Sequence, residues 1–320
     1  MKTPFDNVEN AQKTSTKKSV AQTIRDAVEY MKSKQYPEGY WNAPLDTNCC
    51  MEAQWLMAMY FIDFDDPKKE GVIRYILDRQ REDGSWDVYH AAEQGDINTT
   101  LECYFALRLH GFDPDSPIMA KARKWLLTNN WIDKIRVFTK YWLALFGQWP
   151  WAHTPVLPPE IFFLPKWCPF NIYDFACWAR ATMMPISILT VRRPIKELPP
   201  HLQIDELFPE GREKADFRLP RKNKNIFSLE NVFMKVDHAL HAYNRFPVKP
   251  FREHAIKLVL QWILEHQDED GAWGGIQPPW IYGIIVMFVE GFPLDQINMS
   301  RAIDAFNLHW RVDPGDGIML

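Results

Sequence analysis

The 320-residue chain has no apolar run long enough to cross a bilayer. Its longest, Trp55 to Ile62, falls far short of the roughly 20 residues a spanning helix needs. Met1 to Lys18 is mostly polar, so no secretory signal is expected there. A charge excess is missing as well: 37 Lys and Arg face 41 Asp and Glu, a formal net charge of −4. That balance excludes the basic footprint of a nucleic-acid binder. Five cysteines, two of them adjacent (Cys49 and Cys50), make no disulfide framework and suit a reducing cytosol. His238 and His241 share a helix face, but no third ligand stands at metal-like spacing, so no metal is expected. Neither a phosphate-cradling glycine loop nor a nucleophile elbow occurs. Tryptophan, by contrast, is abundant. Fourteen of them exceed what an ordinary core needs and point to a structural or pocket role.

Three segments repeat one another. Tyr30 leads to Gln35, Gly39 and Trp41; Tyr75 to Gln80, Gly84 and Trp86; Trp262 to Gln267, Gly271 and Trp273. The spacing is the same each time, and a degenerate fourth copy runs from Trp125 to Asn130. Each reads as an amphipathic helix ending at the Gln, whose amide is expected to bond the helix's last free carbonyls. A charged turn follows, reversed by the Gly, and the Trp closes over it. A second helix then starts at Asn98 or Thr99 as N-cap and stops at Gly111. Stacked helix–turn–helix units of this kind build an all-α fold, either an α/α toroid or a solenoid.

The middle of the chain differs. Trp149 to Phe170 is rich in proline and aromatics and reads as an ordered loop. Asn171 to Val191 reads as a buried helix, kinked or broken at Pro185. A polar stretch at about 196–225 is expected to be a mobile loop. Ile226, Phe227, Leu229, Val232, Phe233 and Met234 then put an apolar face behind basic residues. That order suits either a helix on an anionic membrane surface or one packed on a core.

At these residues the chain resembles the squalene-hopene cyclase family of class II triterpene cyclases. The Gln–Trp repeats are similar to that family's QW motif. Arg136 to Thr139 with Trp142 to Leu145, Pro158-Pro159-Glu160, Asn171 to Phe175 with Trp178 to Thr182, and Gly274 to Trp280 resemble its signatures in family order. The resemblance implies an α6–α6 barrel over residues 21–312. It also implies an N-terminal segment, 1–20, that packs on a second barrel, and a connection toward that barrel from 313. The DxDD general acid belongs to the second barrel, so no catalytic residue is expected here. Asp63-Phe64-Asp65-Asp66 spells the same motif, but in a short polar connector, where carboxylates cap a helix.

What the resemblance implies for this half is a cavity wall. Trp178 would face the reacting chain, and Ile276, Gln277 and Pro278 would form the floor, with Tyr282 beside them. Phe175 and Met183 would flank the entry channel, and Glu102 with Arg136 would tie two helices together. Gln54 stands where family members often place a carboxylate, and Asn130-Trp131 replaces a glycine pair. The implied partners are squalene or a related polyprene, a C-terminal cyclase half and the cytoplasmic side of a membrane. No metal or organic cofactor is implied. A barrel that binds a polyprenoid or a membrane without chemistry, and a truncated remnant, are the readings left open.

Overall fold

A computed structural model describes residues 19–37, 39, 41, 48–89, 91–168, 171–218, 228–309 and 317–320. Among them are twelve α-helices and no strand. The chain divides into two compact units at residues 45 and 46.

The first unit holds α1 (Val20–Ser33), whose start is fixed by the Ser19 hydroxyl accepting from the Gln22 amide. Its apolar stripe, Ile24, Val28 and Met31, is exposed, and no residue of the helix is buried. The segment expected to pack on a second barrel lies, up to residue 18, outside the described residues.

The second unit has two kinds of helix. α2 (Cys50–Phe61), α4 (Ile97–Leu109), α7 (Val137–Leu145) and α11 (Gln277–Val289) are buried almost all round. So is the C-terminal part of α8 (Cys177–Arg192). α3 (Lys69–Asp78), α5 (Pro117–Thr128) and α10 (Lys249–Glu265) bury a single stripe each, as outer helices do. α6 (Trp131–Lys134), α9 (Leu229–Arg245) and α12 (Ile297–His309) complete the set. α2 packs between α4 and α11, α11 continues onto α8, and α7 touches both α2 and α4.

The inner helices run parallel, as contacts at their C-terminal ends show. Phe61 meets Phe146 and Phe288 with ring centroids 5.7 and 6.2 Å apart, and Phe105 meets Phe146 at 5.4 Å. Arg192, ending α8, pairs with Glu290 just beyond α11 at 2.8 Å. Parallel inner helices require outer ones to return the chain, which is the arrangement of an α/α toroid. All inner N-termini therefore share one end.

The Gln–Trp turns differ from expectation in which side chain does what. Trp86 and Trp273, not the glutamines, cap the preceding helices: their indole N–H groups donate to Ile76 and Ile263 carbonyls, both at 2.7 Å. The Gln amides point forward instead. Gln80 donates to the Gly84 carbonyl and to Ile118 at the start of α5, and Gln267 to Gly271 and to Asn298 in α12. The chain reverses directly after the Gln, which carries its amide past its own helix end. In the degenerate copy Asn130 bonds only Asp133 among these groups, so it clamps no turn.

Other expectations shift as well. α4 is capped by Asp96 rather than Asn98 or Thr99, because its carboxylate accepts from both of their amides at 3.0 and 2.8 Å. α8 runs unbroken through Pro185. Between 196 and 218 the chain is held, not free: Leu198, Leu202, Ile204 and Leu207 are buried, and Arg212 pairs with Asp205. Residues 219–227, including Ile226 and Phe227, lie outside the described residues. At the other end Gly317 to Leu320 folds back, with the Ile318 amide on Gly71 and the Leu320 amide on Glu52, both at 2.9 Å. No described helix is long and apolar enough to cross a membrane.

Candidate functional site

The N-terminal halves of four inner helices supply the polar side chains at the shared N-terminal end. α4 supplies Glu102, only 1% exposed. An isolated carboxylate there would be costly, and three partners satisfy it. Gln54 from α2 donates at 2.8 Å, the Thr139 hydroxyl from α7 at 2.5 Å, and the Arg136 guanidinium, just before α7, at 3.2 Å. The Arg136 side chain keeps 42% of its surface exposed, so the pair is buried on the acidic side alone. Burial opposes the charge on Arg136, yet Glu102 holds its pKa above the ordinary value and keeps it a cation.

The same network orders the backbone. Asn98 accepts from the Arg136 amide at 2.7 Å and so fixes the entry of α7 against α4. Cys50 donates to Thr99 and accepts from Arg136, both at 3.3 Å. Burial, reinforced by Glu102, pushes its thiol well above the usual range, so it stays neutral. Asn98, Thr139 and Cys50 were not foreseen in these roles. Thr139 stands one helical turn after Arg136, a spacing that places both on one face of α7.

α11 adds Gln277 and Tyr282. The Gln277 amide donates to the Met51 carbonyl at 2.9 Å, and Tyr282 stacks on Trp142 with centroids 5.4 Å apart. Burial, with Glu102 nearby, raises the Tyr282 phenol well above its usual pKa. Gln277 Oε1, the Tyr282 hydroxyl and the Trp142 indole N–H are all buried without a partner among the described residues. Buried polar atoms are seldom left so. Ile276 and Pro278 flank Gln277 half-buried.

Trp178, in the first turn of α8, is 56% exposed, with Phe138 and Tyr173 also open. Phe175 and Met183 are half-buried beside it in sequence. The N-terminal end is thus apolar and open at its rim, polar and closed at its centre.

The Asp63–Asp66 turn sits at the opposite end, after α2. Asp66 is buried but accepts from the Trp55 indole and the Lys68 amide, at 2.7 and 3.0 Å, while Lys196 and Lys69 pair with Asp63 and Asp65. His241 is engaged by Thr154 and Arg193, and no group of three His, Cys, Asp or Glu among the described residues is placed to hold a metal.

Inner and outer helices, clamped by Gln–Trp turns and closed at one end by a polar network, define an α/α-toroid domain. The chain belongs to the squalene-hopene cyclase family: residues 24–313 match its N-terminal domain. It is 42% identical to the squalene–hopene cyclase of Alicyclobacillus acidocaldarius over 83% of this chain and 41% of that protein. With the dammaradiene synthase of Dryopteris crassirhizoma it shares 31% identity over 94% of the chain and 44% of the relative. With a squalene-hopene cyclase of Schizosaccharomyces japonicus the figures are 29%, 88% and 43%. The chain therefore spans about two fifths of the length of these relatives.

Proposed function

We propose that this chain forms the N-terminal barrel of a cyclase that folds squalene and converts it, by proton-initiated ring closure, to a hopene-like triterpene. The reaction is an isomerisation. A carboxylic acid of a second barrel gives a proton to the terminal alkene, the rings close through carbocations, and a proton leaves at the end. No electron is gained or lost, so no redox cofactor is called for.

The observation that carries this reading is the division of labour at the N-terminal end. Its exposed rim offers Trp178 and Phe138, whose π-faces attract a cation by about 0.5–2 kcal/mol each without trapping it. Its centre offers Gln277 Oε1 and the Tyr282 hydroxyl, buried and unpartnered among the described residues, to hold the water that takes the final proton. Ile276 and Pro278 complete that floor, and Phe175 and Met183 flank the entry. The Glu102–Arg136 pair holds α4 and α7 in place and adds no net charge to quench a cation. The second barrel docks over this end.

The exposed Val232, Phe233 and Val236 of α9 support seating on the cytoplasmic face of a membrane, where an apolar substrate dissolves. The test mixes the purified chain with the separately expressed C-terminal half of a related cyclase and detergent-dispersed squalene, with products read by gas chromatography and mass detection. Product from the mixture alone is expected, and Gln277→Ala should change the ratio of products. Product from the chain by itself, or none from a mixture that forms a stable complex, overturns the proposal.

A further inference from the structure

A cavity of about 410 Å³ opens at the other, C-terminal end of the inner helices. Trp149, Trp151, Ile195 and Phe217 give it apolar walls, and Arg193 and Arg212 line it too. The two arginines are not equivalent. Arg212 is neutralised by Asp205 at 2.7 Å and tied to Gln148, also at 2.7 Å. Arg193 has no carboxylate within 4 Å among the described residues. Its N–H groups reach the Thr190 carbonyl at 3.3 Å and His241 Nδ1 at 3.2 Å, and among the described residues the remainder of the fork is unclaimed.

Nearby charges sharpen the imbalance. Arg245 adds a second cation near Arg193. Behind Trp149, the Lys140 ammonium stands 4.8 Å from the ring centroid. The cavity is therefore apolar with a surplus of positive charge, and the guanidinium fork matches a planar carboxylate. Arg193 also sits where a smaller residue would fit more easily. It caps α8, just past Arg192, with φ at +51°, the left-handed position usually given to Gly or Asn.

We infer that this cavity binds a single-chain amphiphile with a carboxylate head, the head on Arg193 and the chain against Trp149, Trp151 and Phe217. At about 30 Å³ for each water-sized group, the space holds a chain of about a dozen heavy atoms. The site is separate from the proposed cyclase face and does not depend on it.

The test titrates the whole chain with 13C-carboxyl-labelled decanoate, with decanol and acetate run as a neutral chain and a bare head. Saturable binding of decanoate is expected, with a shift of the labelled carboxyl signal, and neither control should match its affinity. Arg193→Asn suits the left-handed backbone, so it should keep or raise thermal stability while weakening decanoate at least tenfold. Arg193→Lys should fall between. Undiminished binding by R193N, equal binding of decanol, or no saturable binding of decanoate overturns the inference.

Discussion

The turn after α1 and the turns after α3 and α10 share one sequence pattern and one local geometry, yet only the latter two are locked into a core. In all three the Gln amide donates to the Gly carbonyl and the Trp indole to a helix carbonyl ten residues back. After α3 and α10 the Gln makes a second bond, to the start of α5 or α12. A Cβ on Gly84 would stand 2.6 Å from the Lys121 backbone, and one on Gly271 2.4 Å from the Arg301 carbonyl. Gly39 has no atom within 4 Å of that position among the described residues, and Trp41 is 49% exposed against 2% for Trp273. The hydrogen bonds form the turn. Close approach to the next outer helix is what makes it a clamp, binding successive outer helices into a girdle around the inner ones.

The largest effect that tests this contrast is removal of the indoles. Trp273→Ala should destabilise the chain by about 3–5 kcal/mol, since it opens a cavity and frees the Ile263 carbonyl. Trp41→Ala should cost under about 1 kcal/mol, because its ring is half in water already. Denaturant unfolding of the two variants beside the parent measures both. Similar losses would break the distinction.

A finer probe uses glycine. Gly39, Gly84 and Gly271 all have φ between +92° and +95°, so Ala at any of them pays a similar backbone penalty, about 1–2 kcal/mol. Only G84A and G271A must also push against a neighbouring backbone, which adds about 1–3 kcal/mol. The difference between G271A and G39A in the same unfolding experiment isolates the packing from the conformational cost. Equal losses would mean that the second contact contributes nothing.

Much of this was legible before the structure. The turns announce themselves because Gln, Gly and Trp act within six residues of one another. The N-cap was missed for a related reason: Asp96 lies outside the apolar pattern and reaches forward to two amides. The loop at 196–218 looks polar on average, and averaging hides Leu198, Leu202, Ile204 and Leu207, whose spacing fits no regular helix. The polar centre is a different matter. Gln54, Glu102, Arg136 and Gln277 come from four separated segments, and no local spacing says that they meet. Only family resemblance pointed to them. The roles of Asn98 and Cys50, set by the packing of α2, α4 and α7, stayed hidden even so.

The smallest expected effect separates the two units by pH. His110, after α4, is held below the usual histidine pKa chiefly by burial, helped by Lys69 and opposed by its bond to the Leu56 carbonyl. His241 is shifted the same way, by burial and Arg193. In the unfolded chain both bind protons at the ordinary value near 6.5. Below that value the unfolded state takes up more protons than the folded one, so stability falls as pH falls, until the folded histidines protonate too. Both lie in the second unit, and the first 45 residues contain no histidine. His110→Asn keeps a donor for the Leu56 carbonyl and removes one of the two titrations. Unfolding followed from pH 7.5 down to 5 should therefore give a shallower loss for H110N than for the parent, with the curves converging at the upper end. Parallel curves would show that His110 titrates alike in both states, and that its burial by the clamped unit carries no charge penalty.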